Sequence, residues 1–222
     1  MIICLESVLD EARLSAIGDL LSDSSLFEAG STTAGATARS AKANLQGVRD
    51  NPAIVGLVEK IRHALDAHPV FRVAAIPKRI GRVLVSRYEP GMTYGTHYDE
   101  PWIDGLRTDL SFTLFLNSPE AYDGGELEIE SPAGNQTVKL AAGSAVIYPS
   151  DSLHAVLPVT KGARLTVVGW IQSRVRSSEQ RRLLFELANA TSEAQQHMVK
   201  DAQAITALKH VRNNLLRMWS EG

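Results

Sequence analysis

His97 and Asp99 stand two apart in RYEPGMTYGTHYDEPW, residues 87–102. In an extended chain residues i and i+2 project to the same side, so an imidazole and a carboxylate address one point. Two histidines and one carboxylate, with the remaining positions open, form the donor set that suits non-haem Fe(II) and oxygen chemistry. Alone, His-x-Asp is a weak signal in a chain with six histidines. Its plain alternative is a surface histidine beside a turn aspartate. A third donor must come from elsewhere. His63 and His68 fall at the end of a helical stretch, and His197 and His210 in a helical tail. His154, in YPSDSLHAVLPV, lies in a β-like segment far enough downstream for several strands to bring it round. Its alternative is a satisfied core or turn histidine.

Arg164 opens the run RLTVVGWI. Strand alternation puts Arg164 and Thr166 on one side and Leu165 and Val167 on the other. A buried arginine there needs a carboxylate, and its planar fork suits a ligand carboxylate through two parallel hydrogen bonds. A strand-end arginine reaching solvent is the alternative.

These residues must be carried by a β-rich middle. From about residue 71 the runs FRVAAI, RVLVSRY, LSFTLFLN, GELEIE, QTVKLA, SAVIYP, HAVLPV and RLTVVGWI follow one another, most of them separated by Pro, Gly, Asn, Asp or Ser. Such spacing predicts a sandwich, jelly roll or barrel, and the lack of a long amphipathic helix within residues 79–172 disfavours a parallel Rossmann-type sheet. Ahead of it, Val8, Leu14, Ile17, Leu20 and Leu21 predict a helix over residues 7–22. Residues 29–40 read as a loop. Asn51-Pro52 is a helix start, and Ile54, Leu57, Val58, Ile61 and Leu65 give that helix an apolar stripe ending near His68-Pro69. After Ser177 the pattern is helical again, with a break and restart expected at Thr191-Ser192-Glu193. This tail is expected to cover one face of the β core or, alternatively, to form an oligomer contact.

The chain of 222 residues has 23 basic and 25 acidic side chains, a net charge of −2, which gives no electrostatic case for nucleic acid or an anionic membrane. A single cysteine, Cys4, excludes an intrachain disulfide and a cysteine zinc cluster and fits a reducing cytoplasm. The N-terminus is a poor signal peptide, and no uncharged run is long enough to span a bilayer.

Taken together, RYEPGMTYGTHYDEP, DLSFTLFLN with YDGGELEIE, YPSDSLHAV and GARLTVVGWIQS resemble the Fe(II)- and 2-oxoglutarate-dependent dioxygenases. Within them the chain is similar to the prolyl-4-hydroxylase-like branch, and over its whole length to the bacterial PKHD-type hydroxylases. The resemblance implies an α+β fold: a double-stranded β-helix (jelly roll) core over about residues 71–174, N-terminal helices packed on it, and a helical extension. It divides the chain into a dioxygenase domain, 1–176, and a C-terminal extension, 177–222. It implies Fe(II) held by His97, Asp99 and His154, and 2-oxoglutarate held by Arg164, with Thr166 and Tyr88 as helpers and ascorbate as a further candidate cofactor. The Asp123-Gly124-Gly125-Glu126 turn matches a family turn and is expected to be structural. Phe115 stands where a cosubstrate-binding tyrosine is expected. The implied activity is hydroxylation of an unidentified organic substrate by O2, with decarboxylation of 2-oxoglutarate to succinate. The implied setting is cytoplasmic, without nucleic acid or membrane, and with a homo-oligomer through the C-terminal helices as an option. A non-catalytic sensor of iron or a 2-oxo acid on the same fold is the competing class.

Overall fold

The computed structural model describes residues 1–30, 42–131, 134–197 and 202–221. The loop expected over 29–40 thus lies largely outside the described residues. Strand β1 is Ile3–Leu5, followed by helix α1 (Glu11–Leu21) and the short strands β2 (Phe27–Ala29), β3 (Lys42–Ala43) and β4 (Leu45–Gly47). Helices α2 (Pro52–Ala67) and α3 (Pro69–Ala75) lead into the long strand β5 (Pro77–Tyr88). Then come β6 (Thr93–His97), β7 (Trp102–Ile103), β8 (Leu106–Arg107), β9 (Leu110–Phe115), β10 (Tyr122–Gly124), β11 (Leu127–Ile129) and β12 (Gln136–Val138). Strands β13 (Ala145–Pro149), β14 (His154–Val156), β15 (Val159–Gly162) and β16 (Arg164–Ser173) complete the β region, and helices α4 (Ser178–His197) and α5 (Ala202–Trp219) follow.

Helix starts follow from local chemistry. The Asp10 carboxylate accepts from Arg13 N at 2.8 Å, capping α1, so the helix begins at Glu11 and not at residue 7; Val8 and Leu9 enter the core before it. Asn51 caps α2 through Ala53 N at 2.9 Å, with Pro52 in the first helical position, where its missing N–H leaves no gap. Ile54, Leu57, Ile61 and Leu65 are buried, as the apolar stripe predicts.

FRVAAI, expected as a strand, is helical. His68 ends α2 and caps α3, Pro69 starts the next turn, and Phe71, Ala74 and Ala75 bury at helical spacing. Ile76 closes the turn in the left-handed region, at φ 45°. Thr191 does not break the tail either. Its hydroxyl donates back to Leu187 O at 2.6 Å, and α4 continues to His197.

Seven strands form the larger sheet, in the order β1-β13-β9-β16-β5-β4-β2, and five form the smaller, β12-β11-β14-β6-β3. Every pairing in both is antiparallel. On one face of the larger sheet Val83, Val85, Phe112, Leu114 and Val167 pack with Ile17 of α1 and Leu57 and Ile61 of α2. On the other face Tyr88, Phe115, Val146 and Tyr148 meet Leu127, Ile129 and Val156 of the smaller sheet. Helix α4 docks by Leu184 on Ile76 and Val175, with Leu215, Leu216 and Trp219 of α5 behind it.

Candidate metal and 2-oxo-acid site

Register explains how distant histidines meet. In the antiparallel pair β6–β14, His97 lies directly opposite His154. Asp99 follows two residues beyond His97, tied to the neighbouring strand end by Asp99 N donating to Ser150 O at 3.2 Å. One ligand atom from each of His97, Asp99 and His154 lies within 4.8 Å of the others. His154 Nε2 is 3.8 Å from Asp99 Oδ2, and the two imidazole centroids are 4.2 Å apart.

The imidazoles are held in one tautomer. His97 Nδ1 donates to Gly95 O at 2.8 Å and His154 Nδ1 to Ser152 O at 2.9 Å, which leaves each Nε2 lone pair free. Tyr94 stacks on His97 at 3.6 Å. Burial, aided by the neighbouring His154, pushes His97 down to about 4, so its ring is neutral at ordinary pH. Two imidazoles, each with its Nε2 free, and a carboxylate converging on one point are a donor set that fits Fe(II).

Arg164 is buried, at 1 % exposure, and no carboxylate bonds it among the described residues. Its Nη1 donates to Thr166 Oγ1 at 3.0 Å, while Nε and Nη2 are without partners. The ring of Tyr88, opposite it in the β5–β16 register, lies 5.3 Å from the guanidinium carbon, and that of Phe115 lies 5.5 Å away. Burial pushes the Tyr88 hydroxyl up to about 12, with the Arg164 charge opposing it. A buried guanidinium with two idle donors is a receptor for an anion that the protein itself does not supply.

Both groups open on one cleft of about 460 Å³. Tyr88, His97, Asp99, His154 and Arg164 line it together. Thr166 sits on the same strand face as Arg164 and is bonded to it. Tyr98 and Trp102 stand exposed at its mouth.

Several contributors escape a reading of spacing. Tyr122 and Tyr148 surround Arg164, so the position of Phe115 leaves an apolar ring there while hydroxyls come from other strands. Burial raises both of these tyrosines. The signal for Tyr122 was the turn beside it. Gly124 and Gly125 have φ of 72° and 67°, and a Cβ at Gly124 would meet Pro158 O at 2.1 Å. A Cβ at Gly125 would lie 3.0 Å from Arg164 Cδ and 3.2 Å from Tyr122 Cε2, so this turn also makes room for the anion receptor. Lys42 lies 5.2 Å over the Tyr94 ring, and burial pushes its ammonium down to about 8.

Comparison with known proteins agrees with this geometry. Residues 83–172 match the 2OG-Fe(II) oxygenase superfamily, and residues 179–221 match the PKHD-type hydroxylase C-terminal domain. The chain is 42% identical over 221 residues to a PKHD-type hydroxylase of Maricaulis maris strain MCS10, and 44% identical over 222 residues to one of Acaryochloris marina strain MBIC 11017. Each match covers 100% of both chains. Among solved structures, a Pseudomonas putida prolyl-4-hydroxylase is similar in fold, with a TM-score of 0.55 at 20% identity, covering 78% of this chain and 92% of that one. A 2OG-Fe(II) oxygenase family oxidoreductase from Burkholderia pseudomallei gives a TM-score of 0.59 at 19% identity, covering 80% and 87%. Full-length identity above 40% to curated relatives, with both segments matched in order, places the chain in a family: it belongs to the PKHD-type hydroxylases, Fe(II)- and 2-oxoglutarate-dependent enzymes.

Proposed function

We propose that His97, Asp99 and His154 are the iron ligands and that Arg164 receives the distal carboxylate of 2-oxoglutarate, with Thr166 orienting Arg164 and Tyr88 walling the cosubstrate. The observation that carries this reading is the pairing of two unsatisfied features in one cleft: a three-donor cluster, and a buried guanidinium with idle Nε and Nη2. The enzyme is a hydroxylase, which sets aside the non-catalytic sensor. When bound, Fe(II) supplies the oxygen chemistry, spending 2-oxoglutarate to give succinate. The chain's own residues bind and orient. Gly95 O and Ser152 O keep both Nε2 atoms directed at the metal. The Thr166 hydroxyl holds one arm of the Arg164 fork and so sets the direction of the other two donors. Phe115, Leu127 and Val156 keep water from the floor of the cleft.

The two facing antiparallel sheets are what a double-stranded β-helix requires, and this is the architecture we assign to them. The organic substrate approaches past Tyr98 and Trp102. The solved relative from Pseudomonas putida is called a prolyl-4-hydroxylase, which makes a peptidyl substrate the first to try. We assign the chain to the cytoplasm on its lone cysteine. No helix among the described residues is long and apolar enough to cross a membrane. The C-terminal helices, where Val211 and Met218 are exposed, are the face assigned to a homo-oligomer.

The test is succinate formation from 2-oxoglutarate with Fe(II) and O2. His97→Ala and Asp99→Ala are each expected to abolish it while retaining a cooperative melt. Full turnover in either folded variant rejects the ligand assignment.

A further inference from the structure

Asp99 is the least anchored member of the cluster by spacing alone, since it lies beyond the end of β6, outside any strand. Two serines hold it: Ser111 of β9, in the larger sheet, and Ser150, just past the end of β13. The Ser111 hydroxyl donates to Asp99 Oδ2 at 2.5 Å, within the short range of charge-assisted O–H···O⁻ bonds. A hydroxyl has one proton, so Ser111 has none left for its other contact, Ser150 Oγ at 2.8 Å, and must accept there. Ser150 therefore donates to Ser111, and Ser111 to Asp99. The main chain repeats the connection, because Ser150 O accepts from Asp99 N. Both serines are 2 % exposed, and they sit where strand neighbours are aromatic or aliphatic. Ser111 lies opposite Tyr148 in β13 and Trp170 in β16. Nothing in packing asks for a hydroxyl at such a place, and a buried one is retained only where it is bonded.

We infer that Ser111 is a positioning residue for the metal centre: through the relay Ser150–Ser111–Asp99 it fixes the rotation of the Asp99 carboxylate and pre-orients it for the ion. This rests on Asp99 being a ligand. Without the bond the carboxylate turns freely about its last torsion, and metal binding must order it. Loss of such an outer hydrogen bond to a ligating group lowers metal affinity by about 10–100-fold. The link also crosses between the sheets, tying the loop after β6 to the larger sheet at β9.

The experiment measures Mn(II) affinity by chelator competition, on full-length protein, alongside the melt of each metal-free variant. Two comparisons differ by the hydroxyl: wild type against Ser111→Ala, and Ser111→Thr against the near-isosteric Ser111→Val. Ser111→Ala is expected to bind Mn(II) about 10–100-fold more weakly with its cooperative melt intact, and Ser111→Thr to bind more tightly than Ser111→Val by a similar factor. Ser150→Ala, which removes the donor to Ser111 but leaves the Asp99 bond, is expected to weaken binding by less. Ser111→Ala binding within threefold of wild type, or equal affinity in the Thr and Val variants, overturns the inference. Asp99→Ala is the separate control: if it binds Mn(II) as wild type does, the ligand assignment itself fails, whatever Ser111 does.

Discussion

Arg164 concentrates most of the recognition in one side chain. Its Nε and Nη2 make no well-formed hydrogen bond inside the protein, the Tyr122 hydroxyl standing nearby without closing one, and desolvation opposes its charge. Each hydrogen bond to a charged group contributes about 1.5–3 kcal/mol. Two of them lost should raise the KM for 2-oxoglutarate by at least about 100-fold in Arg164→Ala, and the Fe(II) requirement far less. Equal rises in both would give Arg164 a different task. His97 carries a second prediction. Its folded value, about 4, lies below the ordinary 6.5, so the unfolded chain takes up a proton that the folded metal-free protein refuses. Stability contributed by the neutral ring is full above 6.5 and drains away as pH falls towards 4. Chemical denaturation of metal-free wild type and His97→Asn across that window should show the steeper loss in wild type. Sequence spacing pointed to His97 and His154 because histidines are scarce in the β-like middle, and to Asp99 and Arg164 by their places beside them in strand-like runs. It could not point to Ser111 or Tyr148, because a serine or tyrosine in a strand looks ordinary until register shows what it faces.

Among elements, the strand pairs β6–β14 and β5–β16 do the assembly, placing His97 against His154 and Tyr88 against Arg164. Short β-rich runs set off by turn residues mark β14 and β16 as strands, but pairing partners are a property of topology and are not readable from composition. FRVAAI misled because its β-branched and aromatic residues suit a strand, while His68-Pro69 before it and tertiary burial of Phe71 favour one helical turn after another. The hairpin β7–β8 at the cleft mouth is secured from below by Arg107, whose guanidinium grips the Asp109 carboxylate at 2.7 and 3.0 Å. Asp109 also accepts from Ser173 N at 2.8 Å, and Arg107 reaches Glu221 at 2.7 Å. Asp109 is 6 % exposed and Arg107 13 %, so removing Asp109 takes away the two-pronged partner of a largely buried guanidinium and leaves it only the more exposed Glu221. Asp109→Ala should destabilise the protein by about 3 kcal/mol, measured by denaturant unfolding. It should also speed amide exchange in residues 102–107. A loss under 1 kcal/mol would mean that the pair is solvated and the hairpin is held otherwise.

For the molecule as a whole, the open question is whether residues 177–222 are an appendage or part of the enzyme's fold. Leu184 of α4 is fully buried against Ile76 and Val175, residues that flank the segment matched to the oxygenase superfamily. Arg181 is buried too, donating to Val175 O at 2.8 Å and Arg176 O at 2.7 Å. The far end of the chain returns as well: Glu221 N donates to Arg174 O, and the Glu221 carboxylate accepts from Arg107, which supports the cleft mouth. Cutting after residue 176 would uncover Ile76 and Val175, each worth about 1.5–3 kcal/mol when buried. It would also leave Val175 O without its guanidinium. A stability loss of about 3 kcal/mol in a chain of this size lowers the melting temperature by about 6–12 °C. The shortened chain, 1–176, is therefore expected to melt lower by that amount, while keeping His97, Asp99 and His154 and so still binding Mn(II). Calorimetry and Mn(II) titration on the two lengths separate the cases. An unchanged melt would make the helices an independent module, available entirely for partners. A lower melt with the metal site intact makes them a brace, built into the fold and reaching the hairpin through the Glu221–Arg107 contact.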